Sequence, residues 1–184
     1  MGGSEVLKIQ EDLYVTVMAT YKEIEILRGE TWRFSSAYRT VTATNGYLTM
    51  SFTTPATGQV TYNFAAISKT GNEAIVNLIE AGTYVDTGST LLTGYNFNRN
   101  IATSCPIIDM KVGLLTGGTT IASGTSLSED MVPGTSQGNL RAGGTASSGS
   151  LVFLKPATRY TLKILSVSGA MTVTANIDLI WEDD

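Results

Sequence analysis

The sequence predicts an all-β fold, a sandwich or barrel of antiparallel strands joined in places by long Gly/Ser-rich loops. Three observations carry that expectation. Apolar and polar residues alternate with a period of two over much of the chain, and turn-forming residues recur between the alternating runs. The composition is the third. Hydrophobic residues make up 42% of the 184 residues and charged residues only 15%, against roughly 25% charged in an average soluble domain. Thr, Ser, Gly and Asn fill the difference, a composition that suits β-rich surfaces meeting other surfaces.

From the N-terminus, residues 6–28 give a mixed signal. Ile9, Leu13, Val17 and Tyr21 recur every four residues, which is helical spacing. Tyr14-Val15-Thr16-Val17 is β-branched, however, and Ile24 and Ile26 alternate with Glu23 and Glu25, so strands are expected. Trp32 and Phe34 alternate after Gly29, as core strand residues would, and Tyr38 follows. Asn45-Gly46 marks a turn. Leu48, Met50 and Phe52 then alternate with Thr49, Ser51 and Thr53. Pro55-Ala56-Thr57-Gly58 combines a fixed φ with a free one, and Val60, Tyr62 and Phe64 resume the alternation beyond it.

After the punctuation at Thr70-Gly71-Asn72, Ile108, Met110, Val112 and Leu114 alternate with Asp109 and Lys111. Residues 113–149 are rich in Gly, Ser and Thr, and ordering so much flexible chain is costly. Long loops around a short strand or two are expected there. Tyr160, Leu162 and Ile164 alternate with Thr161 and Lys163. Ser168-Gly169-Ala170 reads as a hairpin turn. The clearest strand closes the chain: Met171, Val173, Ala175, Ile177, Leu179 and Trp181 share one face, and Thr172, Thr174, Asn176 and Asp178 the other.

One domain is the default for this length. The net charge of −4 with no basic run argues against a nucleic-acid groove. No stretch approaches the roughly 18 apolar residues of a membrane span. Met1-Gly2-Gly3-Ser4-Glu5 has no basic and apolar leader pattern, so no signal peptide is expected, and Val6 breaks the myristoylation motif. Cys105 is the single cysteine. It is expected as a buried small hydrophobe, with neither disulfide nor metal-cysteine cluster, in a protein made in the cytoplasm.

Little in the sequence points to chemistry. The chain has no histidine, which removes the commonest general base and zinc ligand. Gly134-Thr135-Ser136-Gln137-Gly138 matches G-x-S-x-G, yet a nucleophile elbow needs a strand before it, a helix after it and a basic partner. Asp109 and Asp178 are read as solvated or ladder-paired carboxylates on polar strand faces. No phosphate-cradling loop and no calcium-loop spacing occur. No enzymatic activity, cofactor or metal is therefore expected. Candidate contact residues are of the Trp/Tyr/Arg type that dominates protein interfaces: Arg28, Trp32, Arg33 and Arg39 in one cluster. In Tyr95-Asn96-Phe97-Asn98-Arg99-Asn100, ring and amide alternate. Asn is disfavoured in strands, so Asn96, Asn98 and Arg99 are read as bonding either within the fold or across a subunit interface.

Two segments resemble a family of tailed-phage virion proteins. Gly94-Tyr95-Asn96-Phe97-Asn98-Arg99-Asn100 is similar to an N-R-N-R-N segment of that family. Leu154-Lys155-Pro156-Ala157-Thr158-Arg159-Tyr160-Thr161-Leu162, then Ser168-Gly169 and a last strand ending Ile177-Asp178-Leu179-Ile180-Trp181-Glu182, resembles its L-K-P-x-T-x-Y ending. The chain departs from the family in having Glu182 directly after the final tryptophan. The likeness spans about the C-terminal two thirds, from Gly46 on. It implies an antiparallel jelly-roll-like β-sandwich and a capsid decoration, cement or head-fibre-like protein. Such a protein would be a homotrimer on the outer surface of a bacteriophage head, with the major capsid protein of the same virion as its partner. On that reading residues 46–184 form the jelly roll and residues 1–45 supply N-terminal strands or a docking segment, unless 1–184 is one continuous domain. The alternative is a receptor-binding or carbohydrate-binding module of a tail fibre.

Overall fold

The computed structural model describes residues 5–10, 13–17, 21–83, 89–102, 104–115, 121, 123–132, 135–142 and 152–182. The chain begins with a pair of strands, β1 (Glu5–Gln10) and β2 (Leu13–Val17), followed by one helix, α1 (Tyr21–Arg28). Next come β3 (Thr31–Ser35), β4 (Arg39–Val41), β5 (Tyr47–Thr53), β6 (Gln59–Gly71) and β7 (Ala74–Glu80). Three short strands follow: β8 (Thr90–Leu91), β9 (Tyr95–Asn96) and β10 (Lys111–Leu115). The remaining strands are β11 (Thr125–Val132), β12 (Thr135–Ala142), β13 (Val152–Leu154), β14 (Arg159–Ser166) and β15 (Met171–Glu182).

Two antiparallel sheets face each other. The first has the order β11-β7-β14-β5-β10-β8. In the second, β6 and β15 are central; β12 and β13 pair successive stretches of β6, while β3 and β4 pair successive stretches of β15, and β9 extends the edge beyond β3. At the break between β3 and β4, Ser36 keeps the ladder whole: its N–H donates to Ala175 O, and its Oγ accepts from Ala175 N, both at 2.9 Å. With β8–β10 set aside, the sheets read β5-β14-β7-β11 and β3/β4-β15-β6-β12/β13, and the chain alternates between them except at β7–β11. That is the double Greek key of a jelly roll. The β8–β10 segment is an insertion between β7 and β11 that lengthens both sheets on the side of β3 and β5.

The alternation read from the sequence becomes the core. Leu48, Met50 and Phe52 of β5, Leu162 and Ile164 of β14, and Met171, Val173, Ala175, Ile177 and Leu179 of β15 are all buried in one cluster. Trp32, Phe34 and Val41 join it. Residues 31–41 therefore supply the first strand of the sandwich, and a boundary near residue 45 falls between its first and second strands. What stands apart is β1–β2, which pair with each other and with neither sheet.

Four sequence expectations need correction. Residues 21–28 form a helix, because Gly29 at φ 79° ends it in a Schellman motif: Gly29 N–H donates to Ile26 O and Glu30 N–H to Glu25 O. Ser168-Gly169-Ala170 does not close a hairpin; it carries the chain from the first sheet to the second, as a jelly roll requires of consecutive strands. Residues 125–142 contain two eight-residue strands, longer than the short strand or two expected between loops. Their sequence shows no apolar face because β11 is an edge strand exposed on both sides up to Met131. Ile108 lies outside β10 and is 81% exposed, whereas Met110 and Val112 are buried as expected.

Candidate functional site

The segment from Gly94 to Ile101 forms the free edge of the second sheet and wraps the C-terminus of α1. Helix ends leave carbonyls without intrahelical partners. Here asparagines supply the missing donors: Asn98 Nδ2 donates to Leu27 O at 3.0 Å and Asn96 Nδ2 to Gly29 O at 2.6 Å. The same side chains fold their own segment. Asn96 Oδ1 accepts from Asn98 N, and Asn98 Oδ1 from Asn100 N, at 2.8 and 3.1 Å, two consecutive Asx-type turns. Gly94 is required by packing, since a Cβ there would stand 2.7 Å from the buried ring of Phe34. The alternation of ring and amide is thus used inside the chain. Of the two readings left open, these bonds serve the intrachain one.

The arginines proposed as a cluster engage different groups. Arg33 projects from β3 onto the outer face and grips Asp178 with both ends of its guanidinium, Nε to Oδ1 at 2.7 Å and Nη2 to Oδ2 at 3.0 Å. Asp178 is fully buried and paired across the ladder with Arg33, the second of the two states expected of it. The Phe97 ring lies 4.7 Å from the Arg33 guanidinium. Hydrogen bonding to Asp178 holds the Arg33 pKa above its ordinary value. Arg28 reaches Glu25 on its own helix, and Arg39 donates from Nε to Ser36 O at 3.1 Å. Trp32 is core. Arg99 lies over the Tyr95 ring at 6.0 Å. What this edge presents to solvent is Leu27, Tyr95 and Arg99, with Arg28 half exposed.

The second motif forms a corner between β13 and β14. Thr54 Oγ1 donates to Lys155 O at 2.6 Å and accepts from Thr158 N at 2.9 Å, while Ala157 N donates to Pro55 O. The Tyr160 hydroxyl accepts from Lys155 N at 2.8 Å and donates to Glu80 Oε2 at 3.0 Å; Lys155 Nζ reaches Glu80 Oε1 at 2.6 Å. These bonds lower the Glu80 pKa, and burial pushes Tyr160 up to about 12. Lys155, Ala157, Thr158 and Tyr160 therefore pin the β13–β14 connection against the β5–β6 connection and the end of β7. Their conspicuous spacing is explained by folding.

No reaction centre emerges from these contacts. The G-x-S-x-G match lies across the start of β12, and from Thr135 on it is strand rather than the turn into a helix that an elbow requires. Asp109 receives the N–H of Thr53 at 2.9 Å. Cys105 packs against the core, and burial pushes its thiol up to about 11. Among the described residues no three His, Cys, Asp or Glu side chains could hold one metal ion, and no helix is long and apolar enough to cross a membrane. Comparison of the chain with protein-family models, curated proteins and solved structures finds no match in any of the three.

Proposed function

We propose that this chain is a capsid decoration protein of a tailed-phage virion, a non-enzymatic homotrimer that binds the outside of the head and cements it. The observation that carries the reading is the ordered pair of motifs, 94–100 and 154–162, in a chain with jelly-roll strand order. Support also comes from the N-terminus. An isolated two-stranded sheet is marginal in water, and β1–β2 pair with nothing but each other, as suits an arm completed on docking to the major capsid protein. The docking element is then the stretch before β3. Cementing works by linkage: a protein that binds only the assembled shell stabilises it by RT ln(1 + [L]/Kd).

The subunit contact is assigned to the edge built by 94–101. Tyr95 and Arg99 face outward there, and residues of these types dominate interface energetics. Closed symmetry is the rule for soluble homo-oligomers. Size exclusion with light scattering should give three times 19.5 kDa, and gold-labelled antibody should mark the heads of intact virions. A monomer, or label on tails, refutes the reading. Label on tails would favour the tail-fibre alternative, in which exposed Tyr95 beside Asn98 and Asn100 forms a sugar-stacking surface.

A further inference from the structure

Asn45-Gly46, a turn by its sequence, is the one Asn-Gly step among the 184 residues. Gly46 N–H donates to Ala43 O at 3.0 Å and closes a four-residue turn in which Asn45 has φ 61°. Asparagine tolerates that left-handed conformation better than most residues. The turn leads directly into β5 and is sealed to the end of β14 by two bonds. Asn45 N–H donates to Ser166 O, and Ser166 N–H to Gly46 O, both at 2.9 Å. Every bond of the seal is backbone to backbone, so the exposed Asn45 side chain takes no part in it, while Gly46 is buried.

An asparagine followed by glycine carries its own reaction. Glycine has no Cβ to shield its backbone nitrogen, and that nitrogen, once hydroxide has taken its proton, can attack the neighbouring side-chain amide. The Gly46 N–Asn45 Cγ bond forms and the Cγ–Nδ2 bond breaks. Nδ2 leaves as ammonia with a proton supplied by water, which regenerates the hydroxide. Water then opens the cyclic imide at either carbonyl and leaves aspartate, or isoaspartate, in which the chain runs through the side-chain carbon. In the fold the first step is blocked, because the Gly46 N–H is buried and held by Ala43 O. An amide so held meets hydroxide only when the structure opens locally. We propose that Asn45-Gly46 is a self-modification site gated by the seal to Ser166, inert while β5 and β14 are joined and reactive when they part.

The two products differ in consequence. Aspartate alters only a side chain that the seal does not use. Isoaspartate inserts an extra backbone atom between Asn45 N and Gly46 O, the two groups bonded to Ser166. Both bonds then cannot form at once, and the pairing of Tyr47 with Leu165 that follows them starts out of step. A chain that stays open long enough is thereby hindered from closing, so the site records time spent unfolded. The inference does not depend on the function proposed above.

The full chain is incubated in mildly alkaline buffer with and without urea. Conversion is followed by the mass of the tryptic peptide 40–69, and isoaspartate by methylation with an isoaspartyl methyltransferase. Exchange of the Gly46 amide is measured in parallel on the folded chain. Conversion should be at least tenfold slower in the fold than in urea, and slowed by the same factor as Gly46 exchange. After urea is removed, Asn45→Asp should match the parent's unfolding midpoint. The isoaspartate form, separated by reversed-phase chromatography, should unfold at a midpoint lower by about 0.5 M urea or more, through loss of the Ser166 bonds. Asn45→Gly, which adopts the left-handed backbone freely, should fold and give no isoaspartate in that peptide. The gate is overturned by equal conversion in fold and urea, by conversion that does not follow Gly46 exchange, or by an isoaspartate form as stable as the parent. Isoaspartate undiminished in Asn45→Gly overturns it as well. Should Asn45→Gly fail to fold, the parent's rates with and without urea decide.

Discussion

Removing Arg33 should expose how strongly the second sheet depends on one ion pair. In Arg33→Ala the fully buried Asp178 carboxylate loses both charge-assisted bonds, at 2.7 and 3.0 Å. Breaking a buried pair by deleting one partner costs about 3–5 kcal/mol. The Arg33 side chain is 43% exposed, so water replaces part of what is lost, and a smaller loss, about 2–3 kcal/mol, is expected. That figure includes about 0.5–1 kcal/mol from the contact with Phe97. Asp178→Asn leaves no buried charge and should cost less, about 1–2 kcal/mol. In the double variant no buried carboxylate faces the loss of Arg33, so its loss should fall short of the summed single losses by at least about 1 kcal/mol. Urea unfolding followed by circular dichroism measures this. With a slope of about 2 kcal/mol per molar, the Arg33→Ala midpoint should fall by about 1 M at constant slope. A fall of less than about 0.2 M, or strict additivity in the double variant, would refute the argument.

Two further expectations concern the corner at 154–160. Tyr160→Phe removes a hydroxyl that both accepts from Lys155 N and donates to Glu80. It should lower stability by about 1–2 kcal/mol without altering the circular dichroism spectrum, and an unchanged urea midpoint would dismiss the lock. Ala157 holds a left-handed φ of 48°, a conformation that costs a non-glycine residue about 1 kcal/mol or more. Ala157→Gly should therefore raise the thermal midpoint slightly; a fall of several degrees would show that its methyl contributes more than its backbone strain.

How much of this was legible depended on range. Where apolar and polar residues alternate along a whole strand, as in β14 and in β15 as far as Leu179, the alternation named the core residues in advance. It failed at α1, where Ile24 and Ile26 imitate a strand, although Arg28 followed by Gly29 carried a helix-stop signal that outweighs two alternating pairs. It failed at β11 because an edge strand exposed on both sides has no face to display. Asp178 was legible only as solvated or ladder-paired, because period two places it on the polar face and the partner that allows its burial lies 145 residues away. The amide-rich run at 95–100 was recognisable as a place where side chains must bond. Its partners, Leu27 O and Gly29 O, are carbonyls of a helix terminus that the sequence reading had not placed. The Thr54–Lys155–Tyr160–Glu80 corner spans separations of 75 to 104 residues, beyond any local pattern.

The central position of β15 has a consequence for the protein's birth. Its two neighbours, β3 and β6, begin at Thr31 and Gln59, yet both must wait for residues 171–182 before they can pair with it. At roughly 5–20 residues per second on the ribosome, β3 spends several seconds to half a minute as an orphan edge carrying Trp32 and Phe34. A nascent chain stopped short of Met171 lacks the strand between them, so its second sheet remains in two pieces. Closure of the second sheet therefore waits until residues 171–182 have left the ribosome, however early its other strands emerge.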